Sequence, residues 1–571
     1  MPLYLGAAWY PEHWPESRWA EDVRLMREAG LNVVRVAEFA WSTIEPREGE
    51  FELGWLERAV ALVGDNGISV AMGTPTAAPP AWLTAAYPET LAVNEHGQVA
   101  QHGKRCHFDV TSETYKRLCR CVTHAYREYQ RLQFEAIRRY ALPSQWVTSN
   151  FMGFFPEFDH YDISADLDLA SWDHYIGSGH ADLAVSGAPH DLTRGVQEAQ
   201  LLGDGDTAGQ RQLGASQQPT QQGRSAGHGL ERHRSWRRRD PLLAVAQRTQ
   251  RPGAVPWVSP CQRRHPRPFY SEVQRLAADF RAVGKLLDGT TVAAPVALLH
   301  SYDDRWSIEA QRHHKDYDPV QHLMHYYTQL SRRGIATGIV SGRAELAGQG
   351  YRLVVAPVHI VDAGIVAELS QFVREGGHLV LAERSGFKDG DNSLLQERQP
   401  GPLGPLAGMH VEEYFALDQL APVNFLVGDR RRGQAQVWAE WLAPDEGTEV
   451  LATYAPFNGW LDGRAAVTLR RYGAGRVYYV GAWLDAALQS ALMGWIIPEA
   501  QVEPVLAGMP EGVQALRRGD AYIVLNGTGG EQAVALPWKA RNHITGWPVE
   551  GELRLDPYGV AVLTRDDTGG R

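Results

Sequence analysis

The first 41 residues constrain the fold more than any other stretch. A short apolar run, Tyr4-Leu-Gly-Ala-Ala-Trp-Tyr10, leads through Pro11-Glu-His-Trp-Pro15 into an amphipathic segment over 17–29. Gly30 closes it, and a second apolar run, Asn32-Val-Val-Arg-Val36, follows. Strand, helix closed by glycine, and strand make a βαβ unit, and such units join parallel strands. Arg35, Glu38 and Trp41 lie at or just after the second strand. In a parallel α/β barrel the C-terminal strand ends carry the chemistry. Charged and aromatic groups there suit a carbohydrate, which offers hydroxyls to the former and C–H faces to the latter.

At 571 residues the chain is too long for one core, so a large domain with smaller ones after it is expected. A net charge of −11 argues against a general nucleic-acid binder. The four cysteines, Cys106, Cys119, Cys121 and Cys261, show no metal-ligand spacing and are too few for a disulfide framework. No apolar run is long enough to span a bilayer and the N-terminus enters strand-like sequence directly, so a cytoplasmic protein without membrane partners is expected.

Further along, a helical pattern over 53–66 ends at Gly67, and Ser69-Val-Ala-Met-Gly-Thr74 reads as a third strand. It enters the proline-stiffened loop Pro75-Thr-Ala-Ala-Pro-Pro-Ala-Trp82. From Ser112 two helix beginnings run together without turn chemistry, giving one stretch over 112–141. That exceeds the usual ~8–20 residues of a globular helix. Strands are predicted at Trp146-Val-Thr-Ser-Asn150 and over 167–173, with His174 and Tyr175 at the end of the latter. Residues 201–268 are dense in Gln, Arg, Gly and Pro. They read as a disordered, locally basic segment, in which 204–212 and 235–240 cannot form a barrel strand or a buried helix. From 292 a second block alternates strands near 296–299, 335–339, 352–357 and 378–382 with helices over 320–333 and 363–375, the pattern of a doubly wound domain. It has no nucleophile elbow, phosphate loop or cysteine, which excludes a glutamine-amidotransferase activity there. After about 502, short runs spaced by Gly and Pro predict a small antiparallel β domain.

Five ordered motifs now carry a family. Trp9-Tyr-Pro-Glu-His-Trp14, Arg35-Val-Ala-Glu-Phe-Ala-Trp41, Gly73-Thr-Pro-Thr-Ala-Ala-Pro-Pro-Ala-Trp82, Asn150-Phe-Met-Gly-Phe154 and Ala170-Ser-Trp-Asp173 resemble family 42 glycoside hydrolases, the β-galactosidases. The resemblance implies a TIM barrel over 1–290, an α/β trimerisation domain over 291–501 and a β domain over 502–571. It also implies a homotrimer and retaining hydrolysis of terminal β-D-galactosides by two glutamates without a cofactor. Retention requires carboxyl groups ~5–5.5 Å apart.

The chain departs from that family at both glutamates. The acid/base glutamate belongs at the end of the fourth strand, and the helical fusion between Tyr126 and Tyr129 is where that strand is missing. For the nucleophile, Leu202-Gly-Asp-Gly-Asp-Thr-Ala-Gly-Gln-Arg-Gln-Leu-Gly-Ala215 can be encoded by codons that give Trp-Val-Met-Glu-Thr-Gln-Pro-Gly-Asn-Val-Asn-Trp-Ala one nucleotide later. That resembles the family's nucleophile strand, with the Glu codon straddling Gly205 and Asp206. The same offset restores family-like text at Gly229-Leu-Glu-Arg-His233 and Arg263-Arg-His-Pro-Arg267, so 201–268 reads as frame-shifted. A disordered insertion is the alternative. The expected barrel is therefore incomplete, with strands four, seven and eight missing or altered, and its unpaired edges predict poor solubility.

For substrate, the resemblance puts Arg105 on the galactose, as a multi-donor fork for its hydroxyls. Arg35 and Glu38 are expected to pair beneath the sugar, with Trp41 and Tyr175 lining the pocket; for each of the four the alternative is a packing role in the barrel mouth. Some relatives bind zinc through cysteines. Here Asp109 rather than Cys106 takes the matching position, so no metal is expected. Cys119 is expected to face the helix core, and Cys121 its edge. Glu38 and Asp173 are the remaining candidates for a substitute carboxylate pair, which would need sub-ångström placement.

Overall fold

The protein, seen here as a computed structural model, is described over residues 4–73, 75–93, 96–103, 107–109, 112–132, 148–156, 158–164, 169–174, 182–201, 213–216, 243–246, 270–428 and 430–566. The first domain is built on β1 (Leu5–Ala8), β2 (Val33–Val36), β3 (Ser69–Met72), β4 (Thr148–Met152), β5 (Leu169–His174), β6 (Leu213–Ser216) and β7 (Leu243–Ala246). Every pairing among them is parallel, and the sheet runs in the order β3-β2-β1-β7-β6-β5-β4. The order curls back on itself, as in a barrel. Yet β3 and β4, consecutive in the chain, stand at its two ends, and among the described residues no pairing joins them.

Helix α1 (Trp19–Glu28) buries Trp19, Val23 and Met26, spaced three to four residues apart, and Gly30 ends it with φ +78°. Each such side chain contributes roughly 1.5–3 kcal/mol by leaving water. Helix α2 (Gly54–Asp65) covers β2 and β3 in the same way. Of the long helical stretch predicted from Ser112, α3 (Glu113–Leu132) is described; residues 133–147 lie outside the described residues.

One expectation is corrected. Strands seven and eight are expected to be missing or altered in 201–268, but β6 and β7 lie inside that stretch and pair in the sheet between β5 and β1. Four-residue segments such as Leu213-Gly-Ala-Ser and Leu243-Ala-Val-Ala need only satisfy their backbones against parallel neighbours. Longer polar windows around them hide that in the sequence. The segments 202–212 and 217–242, with Gly205 and Asp206, lie outside the described residues.

The second domain places β8 (Val296–His300), β10 (Leu353–Ala356) and β11 (His378–Ala382) where predicted, with β9 (Thr337–Ser341) two residues later than expected. Helices α7 (Tyr302–Ala310), α8 (Pro319–Arg332) and α9 (Ala363–Arg374) connect them; the preceding α4 (His160–Ser164), α5 (Leu183–Leu201) and α6 (Tyr270–Leu287) belong to the barrel. The doubly wound pattern is only half of this sheet. Its parallel part, β9-β8-β10-β11 with β16 (Gly475–Val480), continues through β15 (Ala465–Tyr472) into antiparallel strands dominated by the hairpin of β12 (Met409–Phe425) and β13 (Arg432–Pro444). Register shifts between Val411 and Glu413 and between Leu417 and Ala421 break the alternation that would reveal so long a strand. The last domain is a small antiparallel assembly, including β18 (Val513–Arg518), β19 (Ala521–Asn526) and β24 (Val560–Arg565).

The barrel is divided between two cores. The region of β1–β3, with α1, α2 and α6, shares one with Leu516, Ile523 and Val562 of the last domain. Phe151, Trp172, Ala188 and Leu192, from β4, β5 and α5, share the other with Val296, Leu298 and Ile339 of the second domain. There α5 lies directly on β9: Arg194 Nη2 donates to the Thr337 carbonyl at 2.7 Å, and Tyr327 donates to Asp191 at 2.5 Å. A Cβ at Gly195 would stand 1.8 Å from the Ile339 carbonyl oxygen, a backbone atom that cannot swing away. Gly195→Ala should therefore lower the thermal midpoint of the second domain by about 5–10 °C, the effect of roughly 3 kcal/mol of overpacking. Differential scanning calorimetry reads this, and an unchanged midpoint would contradict the contact.

Candidate functional site

The C-terminal ends of β1, β2 and β3 are level, with Ala8 opposite Arg35 and Val36 opposite Met72. In a regular strand Arg35 and Glu38, three apart, would face opposite sides. Ala37, fully buried at φ +68°, interrupts the alternation and turns Glu38 back toward Arg35. A left-handed non-glycine residue costs of order 1 kcal/mol, and such strain collects at functional positions. Arg35 Nη2 then stands 2.6 Å from Glu38 Oε2, with both residues 8% exposed. The expected ion pair is present.

Gly73, at the end of β3, makes room for it. A Cβ there would sit 2.9 Å from both Cα and Cβ of Glu38. The Gly73 N–H donates to the Val36 carbonyl at 2.9 Å, so the strand cannot step aside without losing that bond.

Trp41 is fully buried. Its indole donates to Glu45 at 2.7 Å, and Glu45 also accepts from the Gly49 N–H at 2.8 Å, while its carbonyl accepts from Trp82 at 2.8 Å. Tyr115 packs against Trp41, stacks on Phe108 and donates to the Thr76 carbonyl at 2.8 Å. Of the two expectations for Trp41, this geometry is that of packing: it braces the loops after β2 and β3 from below and presents no surface to solvent. Arg105 and Tyr175 lie outside the described residues, as do the side chains of Asp173, Tyr126 and Tyr129.

Two groups on this face were not legible as site residues. Phe39, beside Glu38, is exposed and lies 6.0 Å from Tyr10, giving an apolar edge next to the ion pair. Glu12, in the short helix Pro11–His13 after β1, has both carboxylate oxygens buried without a hydrogen-bond partner among the described residues. Burial pushes its pKa up to about 7. Only the motif Pro-Glu-His after a strand end signals it.

Among the described residues no three His, Cys, Asp or Glu side chains gather as metal ligands. Cys119 is half-buried on α3, where burial pushes its thiol up to about 11 and leaves it a poor nucleophile, while Cys121 is exposed. The described face thus offers a guanidinium, an exposed aromatic ring and carboxylates already engaged, as in Glu38 and Glu45, or held toward protonation, as in Glu12.

Three family models match this chain: "Beta-galactosidase" over residues 8–127 and 119–232, "Beta-galactosidase trimerisation domain" over 294–503 and "Beta-galactosidase C-terminal domain" over 512–565. The β-galactosidase Bga of Halorubrum lacusprofundi is 28% identical over 709 residues, covering 100% of this chain and 99% of that protein. A β-galactosidase of Thermus thermophilus is 27% identical, covering 98% of this chain and 99% of its own. Among solved structures, the Halorubrum lacusprofundi β-galactosidase superposes with a TM-score of 0.82 at 26% identity, covering 99% of each chain. One from Bacillus circulans sp. alkalophilus reaches a TM-score of 0.87 at 20% identity, again over 99% of each chain, a likeness of fold.

Two predictions follow from the carboxylates. An acid whose folded pKa is raised above its unfolded value loses stability as pH rises between the two, here from 4.5 to about 7. Glu12→Gln should therefore stabilise the chain by on the order of 2 kcal/mol at pH 8 and by little at pH 5. Thermal melts at the two pH values check this; equal shifts would place the carboxyl in water. Gly73→Ala should separate Glu38 from Arg35 and destabilise the chain by about 1–3 kcal/mol, read by urea denaturation, whereas a neutral effect would mean that β3 yields freely.

Proposed function

This chain belongs to the family 42 glycoside hydrolases, the β-galactosidases, and from that membership we propose that it binds terminal β-D-galactosides on the C-terminal face of its barrel but has lost their retaining hydrolysis. The observation that carries this reading is the position of β3 and β4, neighbours among the described strands yet at opposite ends of the sheet. The family's acid/base glutamate belongs on a strand between them. Two further facts support its loss. The family model matches in two pieces that meet at 119–127, where the helices fuse, and the alignment with Bga runs over 709 residues against 571 here. The nucleophile is expected at Gly205 and Asp206, in the reading of 201–268 as frame-shifted. The second piece of the family match reaches residue 232, so it covers the first part of that stretch.

What remains suits holding rather than cutting a sugar. Arg35 and Arg105 supply charge-assisted donors to hydroxyls, Tyr175 and Phe39 supply apolar faces, and Glu38 is tied to Arg35 at 2.6 Å. An ion-paired carboxylate is a weak nucleophile, which disfavours Glu38 with Asp173 as a substitute pair. The match of 294–503 to a trimerisation domain supports a homotrimer. A second reading, a non-enzymatic remnant that oligomerises and binds sugar weakly, is favoured by the same match: that domain is covered almost end to end.

Purified chain should release no chromophore from a nitrophenyl β-galactoside above the buffer rate. Arg35→Met should weaken galactose binding by about tenfold, the worth of one charge-assisted hydrogen bond, as read by calorimetric titration. Turnover that Glu38→Gln or Asp173→Asn abolishes would overturn the proposal.

A further inference from the structure

The chain leaving β4 emerges on the face proposed for galactosides, yet it is fastened from outside the barrel. Arg305 Nη2, on α7 of the second domain, donates to the Phe154 carbonyl at 3.1 Å, and Trp306 Nε1 donates to the Pro156 carbonyl at 2.6 Å. Tyr302 stands 2.5 Å from His160 Nδ1, and His160 Nε2 stands 2.9 Å from the Met152 carbonyl. A carbonyl only accepts, so Nε2 carries the imidazole proton and Nδ1 is left to accept from the Tyr302 hydroxyl. Burial keeps this imidazole neutral by pulling its pKa down to about 4.

The loop needs such holding. Phe154 has φ +53°, a conformation costing of order 1 kcal/mol in an L residue, and its own carbonyl is the one Arg305 grips. Arg305 is only 4% exposed, and its guanidinium lies 5.0 Å over the Tyr302 ring, so the two form one unit. Beyond Phe154 the half-buried rings of Phe155 and Phe158 sit 5.2 Å apart in the loop that follows the C-terminal end of β4, with Phe158 also packed against the core shared with the second domain.

We infer that Tyr302 and Arg305 are positioning residues for the sugar site: from the second domain they fix the loop after β4, and so the place of Phe155 and Phe158. This rests on the galactoside reading for what the loop receives, but not for how it is held.

Hydrogen–deuterium exchange on the full chain without ligand tests the holding. Arg305→Met keeps the stem and removes the donors, Tyr302→Phe removes the hydroxyl, and Arg305→Lys restores one donor. The first two should speed exchange in peptides covering 150–156 and 158–164 by about tenfold, the equivalent of one hydrogen bond to a charged group. Peptides of β8 and β10 should stay unchanged, and Arg305→Lys should return the loop to within about threefold of the parent. Unchanged loop exchange in both variants, or an equal rise in β8 and β10, would overturn the inference. Galactose titration separates the two readings. Weaker binding by Arg305→Met with rescue by Arg305→Lys supports positioning. No binding by the parent chain refutes the galactoside reading, and with it the assignment to a sugar site, while the exchange result still decides whether the loop is clamped.

Discussion

The contact of α5 with β9 sets the architecture. Gly195 brings the helix so near the Ile339 carbonyl that no side chain fits between them, Arg194 donates to the Thr337 carbonyl of β9, and Asp191 accepts from Tyr327 of α8. Through it β4 and β5 pack into the core of the second domain, while β1–β3 pack with α6 and the last domain. A complete barrel holds its strands chiefly by closure. Here each group of strands has a core of its own to hold it. Among the described strands, β3 and β4 are the ones at the two ends of the sheet, and each belongs to a different one of these groups.

The same division shapes the chemistry. On the first half, left-handed Ala37 and side-chain-free Gly73 together create the space and direction for the Arg35–Glu38 pair. On the second half, the loop after β4 takes its shape from Arg305 and Tyr302, residues of another domain. A sugar bound across the face would touch both.

Much of the first half was legible in the sequence. The βαβ unit and the helix ends at Gly30 and Gly67 follow from period and turn chemistry, whereas strand spacing alone would set Arg35 and Glu38 on opposite faces and only left-handed Ala37 brings them together. What escaped did so for stated physical reasons. Helix α5 is buried on most sides between β5 and β9, so it lacks the polar stripe by which a surface helix declares itself. Strands β6 and β7 are four residues each, too short for alternation to register. The hairpin β12–β13 is broken by bulges, and Glu12 sits in a local motif whose burial only the fold creates. Trp41 was placed in the motif correctly, but only packing separates a ring that lines a site from one that braces it.

Native-state hydrogen exchange across a denaturant series tests the central claim most directly, that the two halves of the barrel belong to different cooperative units. Amides of β4 and β5 should become exposed together with those of β8 and β10, at a denaturant concentration distinct from that for β1, β2 and β3. A single opening shared by β1 through β5, separate from that of β8 and β10, would contradict it.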